Sequence, residues 1–180
     1  MHRLFVAIRP PAPIRSQLLD VMQGIRGARW QDEDQLHLTL RFIGEVDRHR
    51  AEDAAATLGS IHHPAFAIAL NGIGSFDGRG KGTLWAGVTP HDQLKALHKK
   101  VDQACLRVGI APDARAYLPH ITLARLKPSA GPIDAMVVAS GGLRSQPFLV
   151  DAFCLYESDL TPAGPIYSVV ERYPLDRPIS

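Results

Sequence analysis

Apolar positions alternate with polar ones, or crowd with β-branched and aromatic neighbours, over 3–8, 36–43, 66–71, 83–88, 119–125, 148–156 and 166–173. Each run is bounded by Gly, Pro or Asp and predicts a strand. Between them the spacing changes from two to three or four. Ile14, Leu18, Met22 and Ile25 predict one helix, Leu94, Leu97, Val101 and Ala104 another, and Asp47 is placed to cap a third over 48–58. A short helix near 132–139 completes the set. The order is strand, helix, strand, helix, two strands, helix and further strands, which predicts an α+β fold rather than a regularly alternating parallel sheet.

Within this pattern one phrase occurs twice: "HLTL" at 37–40 and "HITL" at 120–123. A shuffled chain with the same 8 His, 6 Thr and 20 Leu would contain about 0.03 copies of His-x-Thr-Leu, so the pair needs a cause. In a strand, His37 and Thr39 share one face and Leu38 and Leu40 the other; His120 and Thr122 divide likewise from Ile121 and Leu123. The apolar positions anchor each phrase in a core. If the two strands meet, two imidazoles and two hydroxyls converge on one cleft. Such a set suits phosphoryl chemistry: one neutral imidazole takes a proton, one protonated imidazole gives one, and hydroxyls hold phosphate oxygens without adding negative charge.

Composition narrows the setting. The chain has 180 residues and is 46% hydrophobic and 21% charged, with Gly and Pro scattered, so one compact unit is expected rather than domains on a linker. A net charge of +2 excludes a general nucleic-acid coat but leaves room for a local basic pocket. Cys105 and Cys154 show no Cys-x-x-Cys spacing, which fits a reducing compartment, so a cytoplasmic location is expected. The apolar run Leu4 to Ile8 falls short of the roughly 7 residues of a signal-peptide core, and no run approaches the roughly 18 of a membrane span. A zinc site needs three or four ligands, and neither phrase has a third at supporting spacing; no metal or cofactor is expected. His2, His49, His62, His63, His91 and His98 lack a paired context. The segment "GRGKG" at 78–82 resembles a phosphate-cradling loop only loosely, because it precedes a strand and lacks the P-loop spacing.

Together with "RLFVAI" at 3–8, Trp30, "FIGEV" at 42–46, "LWAGV" at 84–88, "LYESDL" at 155–160, Gly164 with Tyr167, and "YPL" at 173–175, the two phrases make the chain resemble the 2H phosphoesterase superfamily, in its RNA 2',3'-cyclic phosphodiesterase (2'-5' RNA ligase) branch. The resemblance runs nearly the whole length. It implies a single bilobal domain over 1–180: two pseudo-symmetric α+β lobes, each with an antiparallel sheet and helices, around a central cleft. It implies opening of a terminal 2',3'-cyclic phosphate on RNA to a 2'-phosphate, 2'-5' joining in some members, and no need of ATP or metal.

By the same resemblance His37 corresponds to the proton donor to the leaving 3'-oxygen and His120 to the base that activates water, with Thr39 and Thr122 holding phosphate. Arg125 matches a basic residue after the second motif, although strict alternation puts it on the Leu123 face unless the strand ends or bulges. Arg41 is expected on the His37 face, as local pocket charge or as a solvated strand end. Phe5 and Tyr117 either flank a base or fill the core. The partner implied is an RNA end or oligonucleotide with a 2',3'-cyclic phosphate, and a monomer is expected. Two other readings stay open: a phosphodiesterase for a small cyclic nucleotide-like phosphate, such as an ADP-ribose cyclic phosphate, and a non-catalytic binder of RNA ends.

Overall fold

The alternating runs become strands whose apolar faces share one core. A computed structural model describes residues 1–76, 82–140 and 142–177. In chain order these form β1 (His2–Ile8), α1 (Ala12–Val21), β2 (Ala28–Trp30), β3 (Leu38–Val46), α2 (Arg48–Leu58), β4 (Phe66–Phe76), β5 (Gly82–Thr89), α3 (Asp92–Arg107), β6 (His120–Leu126), α4 (Asp134–Ser140), β7 (Phe148–Val150), β8 (Ala152–Thr161) and β9 (Gly164–Pro174). Apart from Gly82, the segment "GRGKG" lies outside the described residues.

Two helices form where their signals put them. The Asp47 carboxylate accepts the Arg50 N–H at 2.8 Å and caps α2. On α3, Leu94, Leu97, Val101 and Ala104 are all fully buried, the stripe that three-to-four spacing produces. The first helix is shorter than expected. It stops at Val21, and Gly24, at φ +87°, turns the chain so that Ile25 reaches the core from outside the helix.

The strands pair antiparallel in the order β7-β4-β5-β6-β3-β1-β8-β9, with β2 added alongside β6. The order is symmetric about the β6–β3 seam. The unit β1-α1-β3 on one side corresponds to β5-α3-β6 on the other, giving two lobes. The seam itself is narrow, with Leu38 opposite Ile121 as its one aligned pair.

The run 148–156 is two strands, not one. Phe148 and Val150 are buried on one parity and Phe153 and Leu155 on the other, and the switch falls at Asp151, between β7 and β8. Because β7 pairs with β4 and β8 with β1, one residue carries the chain between distant places in the strand order. The sheet must curl for this to happen. The curl is held by the Asp151 carbonyl accepting the Leu175 N–H at 2.7 Å.

Candidate active site

Each repeated phrase lies at the start of its strand, at the seam. Leu38 and Ile121 face each other across it and are buried at 1% and 0% exposure. Continuing that antiparallel register one residue either way sets His37 opposite Thr122 and Thr39 opposite His120. The two histidines are therefore diagonal neighbours, with Cα atoms roughly 8 Å apart by strand geometry. All four side chains line one cleft of about 590 Å³.

The same contact orients both rings. His37 Nδ1–H donates to the Gln35 carbonyl at 2.7 Å, and His120 Nδ1–H donates to the Leu118 carbonyl at 2.7 Å. A carbonyl oxygen can only accept, so each Nδ1 carries the proton and each Nε2 is the atom free to exchange one. In the neutral ring of His37, the Thr39 hydroxyl donates to Nε2 at 3.0 Å. Burial lowers the His37 pKa to about 4, opposed by the Gln35 bond and reinforced by the charges of His120 and Arg125. His120 is also lowered by burial, against its Leu118 bond, and further by Arg125. Both shifts favour the neutral imidazole in the free protein, and a bound phosphate anion favours protonation.

Aromatic rings flank both histidines. Phe5 is 5.0 Å from His37 between ring centroids and Tyr167 meets it edge-on at 5.4 Å; Phe76 meets His120 edge-on at 4.9 Å, with Trp85 at 6.2 Å. Gly74 makes this second arrangement possible, since a Cβ there would lie 2.5 Å from the Trp85 ring. Phe5 is 3% exposed and stacks on Tyr156 at 5.1 Å, so it forms the floor beneath His37.

A bulge follows each phrase. On β3, Ala7 and Val6 face Thr39 and Arg41, skipping Leu40; on β6, Trp85 and Leu84 face Thr122 and Ala124, skipping Leu123. The extra residue reverses the alternation beyond it. Arg125 is thereby returned to the cleft, where its guanidinium donates to the Thr83 hydroxyl at 3.3 Å. Arg41 is turned away, contrary to the expectation that it shares the His37 face. It is 5% exposed, pairs with Asp102 at 2.9 Å and donates to the Phe42 and Ala111 carbonyls. Phe42 takes the cleft position instead.

Tyr117 lies behind β3 rather than in this cleft. Its hydroxyl donates to the Thr39 carbonyl at 3.1 Å, and its ring stacks on His98 at 4.0 Å; His98 Nδ1–H in turn donates to the Leu40 carbonyl at 2.7 Å. Burial raises the Tyr117 pKa, so the hydroxyl stays a donor. The loop leading to His120 and helix α3 thus hold the bulged backbone after His37.

The cleft is basic. Among the described residues lining it are Arg3, Arg115 and Arg125, with no Asp or Glu. The described residues contain no group of three or more His, Cys, Asp or Glu placed to share a metal ion. Tyr167, Phe42 and Phe76 are site residues that motif reading missed. Tyr167 had a signal in its family-like spacing from Gly164 and Phe42 in opening the family-like phrase "FIGEV", while Phe76 had none.

The sequence profile of the 2'-5' RNA ligase superfamily matches residues 10–162. The chain belongs to this family. It is 29% identical to the RNA 2',3'-cyclic phosphodiesterase of Thermotoga maritima, over 93% of this chain and 92% of the relative. It is 32% identical to the RNA 2',3'-cyclic phosphodiesterase of Aeropyrum pernix, over 77% and 81%. Among solved structures, E. coli LigT complexed with 3'-AMP superposes with a TM-score of 0.77 at 28% identity, covering 97% of this chain and 98% of that one. The two-lobe fold of these 2H phosphoesterases is the fold seen here. No helix among the described residues is long and apolar enough to cross a membrane.

Proposed function

We propose that this protein is an RNA 2',3'-cyclic phosphodiesterase that leaves a 2'-phosphate. The observation that carries the reading is the pair of Nε2 atoms left for proton exchange by matching Nδ1–H bonds, on histidines that are diagonal neighbours across the seam and line one cleft with Thr39 and Thr122. Two relatives with that name align over most of the chain.

His120 Nε2 takes a proton from water as its oxygen bonds to phosphorus, the P–O3' bond breaks in line, and His37 Nε2–H protonates the departing 3'-oxygen. The 2'-oxygen stays on phosphorus. A bound cyclic phosphate brings the negative charge that lifts His37 from its depressed pKa, so the acid is charged when substrate is present. Once His37 is protonated, Thr39 no longer needs to donate to its Nε2 and can turn its hydroxyl to a phosphate oxygen, as Thr122 does from the other side. Arg125 adds fixed positive charge. A 5'-hydroxyl in the place of water would give a 2'-5' phosphodiester by the same proton transfers.

The test is the 31P spectrum of 2',3'-cyclic AMP after incubation with pure protein and EDTA. A 2'-phosphate product is expected. A 3'-phosphate would mean that the 2'-oxygen leaves, and loss of turnover on chelation, restored by a divalent ion, would replace the two-histidine mechanism with a metal-dependent one.

A further inference from the structure

Strand β2 is short, yet its place beside β6 fixes where its side chains go. Ala28 and Trp30 are half-buried and pack on the core, so Arg29 between them points to the opposite face. The register sets Arg29 directly opposite Arg125, and Thr83 of β5 opposite Arg125 from the other side. Directly opposed residues share a face. Arg125 and Thr83 line the catalytic cleft, and so does Gln31, the next residue of Arg29's parity. Arg29 therefore stands at the rim of that cleft. Its guanidinium lies against the turn between β8 and β9, where a Cβ on Gly164 would come within 2.8 Å of it; the glycine leaves it room.

Like charges directly opposite each other destabilise a sheet. Among the described residues, no carboxylate forms a salt bridge with Arg29 or Arg125. Arg41 and Arg115, by contrast, are neutralised by Asp102 and Asp113. The opposed pair lies four residues along β6 from Ile121 at the seam, roughly 13 Å of strand. Arg125 reaches back over part of that distance, since its charge acts on both histidines. Arg29, turned against Gly164, is left for a second anion.

We propose that Arg29, together with Arg125, binds a second phosphate: the phosphodiester that joins the cyclic terminal nucleotide to the preceding nucleotide of an RNA chain. The inference rests on the proposed reaction, which puts the cyclic phosphate between the histidines. The terminal ribose carries that phosphate on its 2'- and 3'-oxygens and the rest of the chain on its 5'-oxygen. The next phosphate is therefore one sugar away, as the arginine pair is a few residues down the strands from the seam. A guanidinium is a planar fork that takes phosphate oxygens two at a time. An anion shared by Arg29 and Arg125 also removes their repulsion. Backbone contacts of this kind position a chain without reading its bases, so the site selects RNA ends over cyclic mononucleotides whatever the terminal sequence.

The experiment compares substrates that end in the same adenosine 2',3'-cyclic phosphate: the mononucleotide, a dinucleotide with a native phosphodiester, and the same dinucleotide with an uncharged methylphosphonate linkage. The native dinucleotide is expected to exceed the methylphosphonate in kcat/KM by at least about 10-fold, the scale of one hydrogen bond to a charged group. Arg29→Ala should bring the two dinucleotides to one level and leave the mononucleotide within about two-fold. Equal rates for the two dinucleotides in the wild type, or equal loss on every substrate in Arg29→Ala, overturns the proposal. A 5'-phosphorylated 2',3'-cyclic AMP separates the possible sources of the second phosphate: a gain there with none for the native dinucleotide would assign the site to free nucleotides and overturn its assignment to RNA. Calorimetric binding of the same two dinucleotides ending in a 2'-phosphate reads the site without turnover. If the protein fails to hydrolyse cyclic phosphate, the assigned reaction falls, and a preference for the native linkage that Arg29→Ala abolishes, or its absence, still decides the second phosphate site.

Discussion

The strands β3 and β6 carry the same phrase, the same Nδ1 anchor and the same bulge, yet they deliver different surroundings to their histidines. After the bulge, β6 returns Arg125 to the cleft, and β3 returns Phe42. Behind the bulge, β6 buries Ala124, whereas β3 buries Arg41 against Asp102 and two carbonyls. The arginine beyond the bulge thus lines the cleft on β6 and is locked into the scaffold on β3. Repetition of the phrase places two imidazoles with matching Nδ1 anchors in one cleft; divergence just beyond it gives them different surroundings. Under the proposed mechanism, an acid and a base are built from one kind of side chain by changing its downstream neighbours in the strand.

The largest test of that inequivalence is removal of each ring. His37→Ala and His120→Ala should each lower turnover of 2',3'-cyclic AMP by about 10² to 10⁴. A substrate with an activated 3'-leaving group needs little protonation, so steady-state rates should show far more rescue of His37→Ala than of His120→Ala. Equal rescue would erase the difference between the two sides, and the opposite pattern would exchange their roles.

A second break comes from pH and folding. The folded pKa of His37, about 4, lies below its ordinary 6.5, so the unfolded chain binds the proton more readily. Stability contributed by this group is full above about pH 6.5 and is lost as pH falls toward 4, by up to about 3 kcal/mol. Urea midpoints at pH 7.5 and 4.5 should show a loss in the wild type that His37→Gln removes in large part. An unchanged loss in that variant would mean that His37 is not held neutral by burial.

Arg125→Ala should weaken kcat/KM by about 10- to 100-fold, the scale of a hydrogen bond to a charged group. Arg41→Ala breaks a buried ion pair and should act on thermal stability first. Comparing kcat/KM with melting temperature for both variants separates the two arginines. The smallest expected effect belongs to Tyr117→Phe, which removes one bond to the Thr39 carbonyl. About 1 kcal/mol is at stake, seen as a several-fold fall in kcat with little change in KM if the strand carrying Thr39 relaxes.

Much of this was legible in the sequence because strand and helix periods leave different marks. The alternation in "HLTL" and "HITL" puts Leu38 and Ile121 in the core and the His and Thr pairs on the opposite face, and Asp47 announces α2. The bulges were not legible: an inserted residue leaves no periodic signal when both Leu40 and Arg41 end up buried, so Arg41 and Arg125 exchanged their expected faces. The parity switch at Asp151 was legible in principle, since Phe148 and Val150 fall out of step with Phe153 and Leu155. β2, at Ala28–Trp30, is three residues long and offers too few positions for any period.

Asp151 also sets a schedule for the nascent chain. His37 and Thr39 leave the ribosome early, but the strands that complete their lobe, β8 and β9, emerge last, after the other lobe's β4, β5, β6 and β7. Tyr156 and Tyr167, which back Phe5 and the His37 ring, arrive with them. The lobe begun first is therefore the lobe finished last, and the two-histidine cleft acquires its full walls only once β8 and β9 have been made.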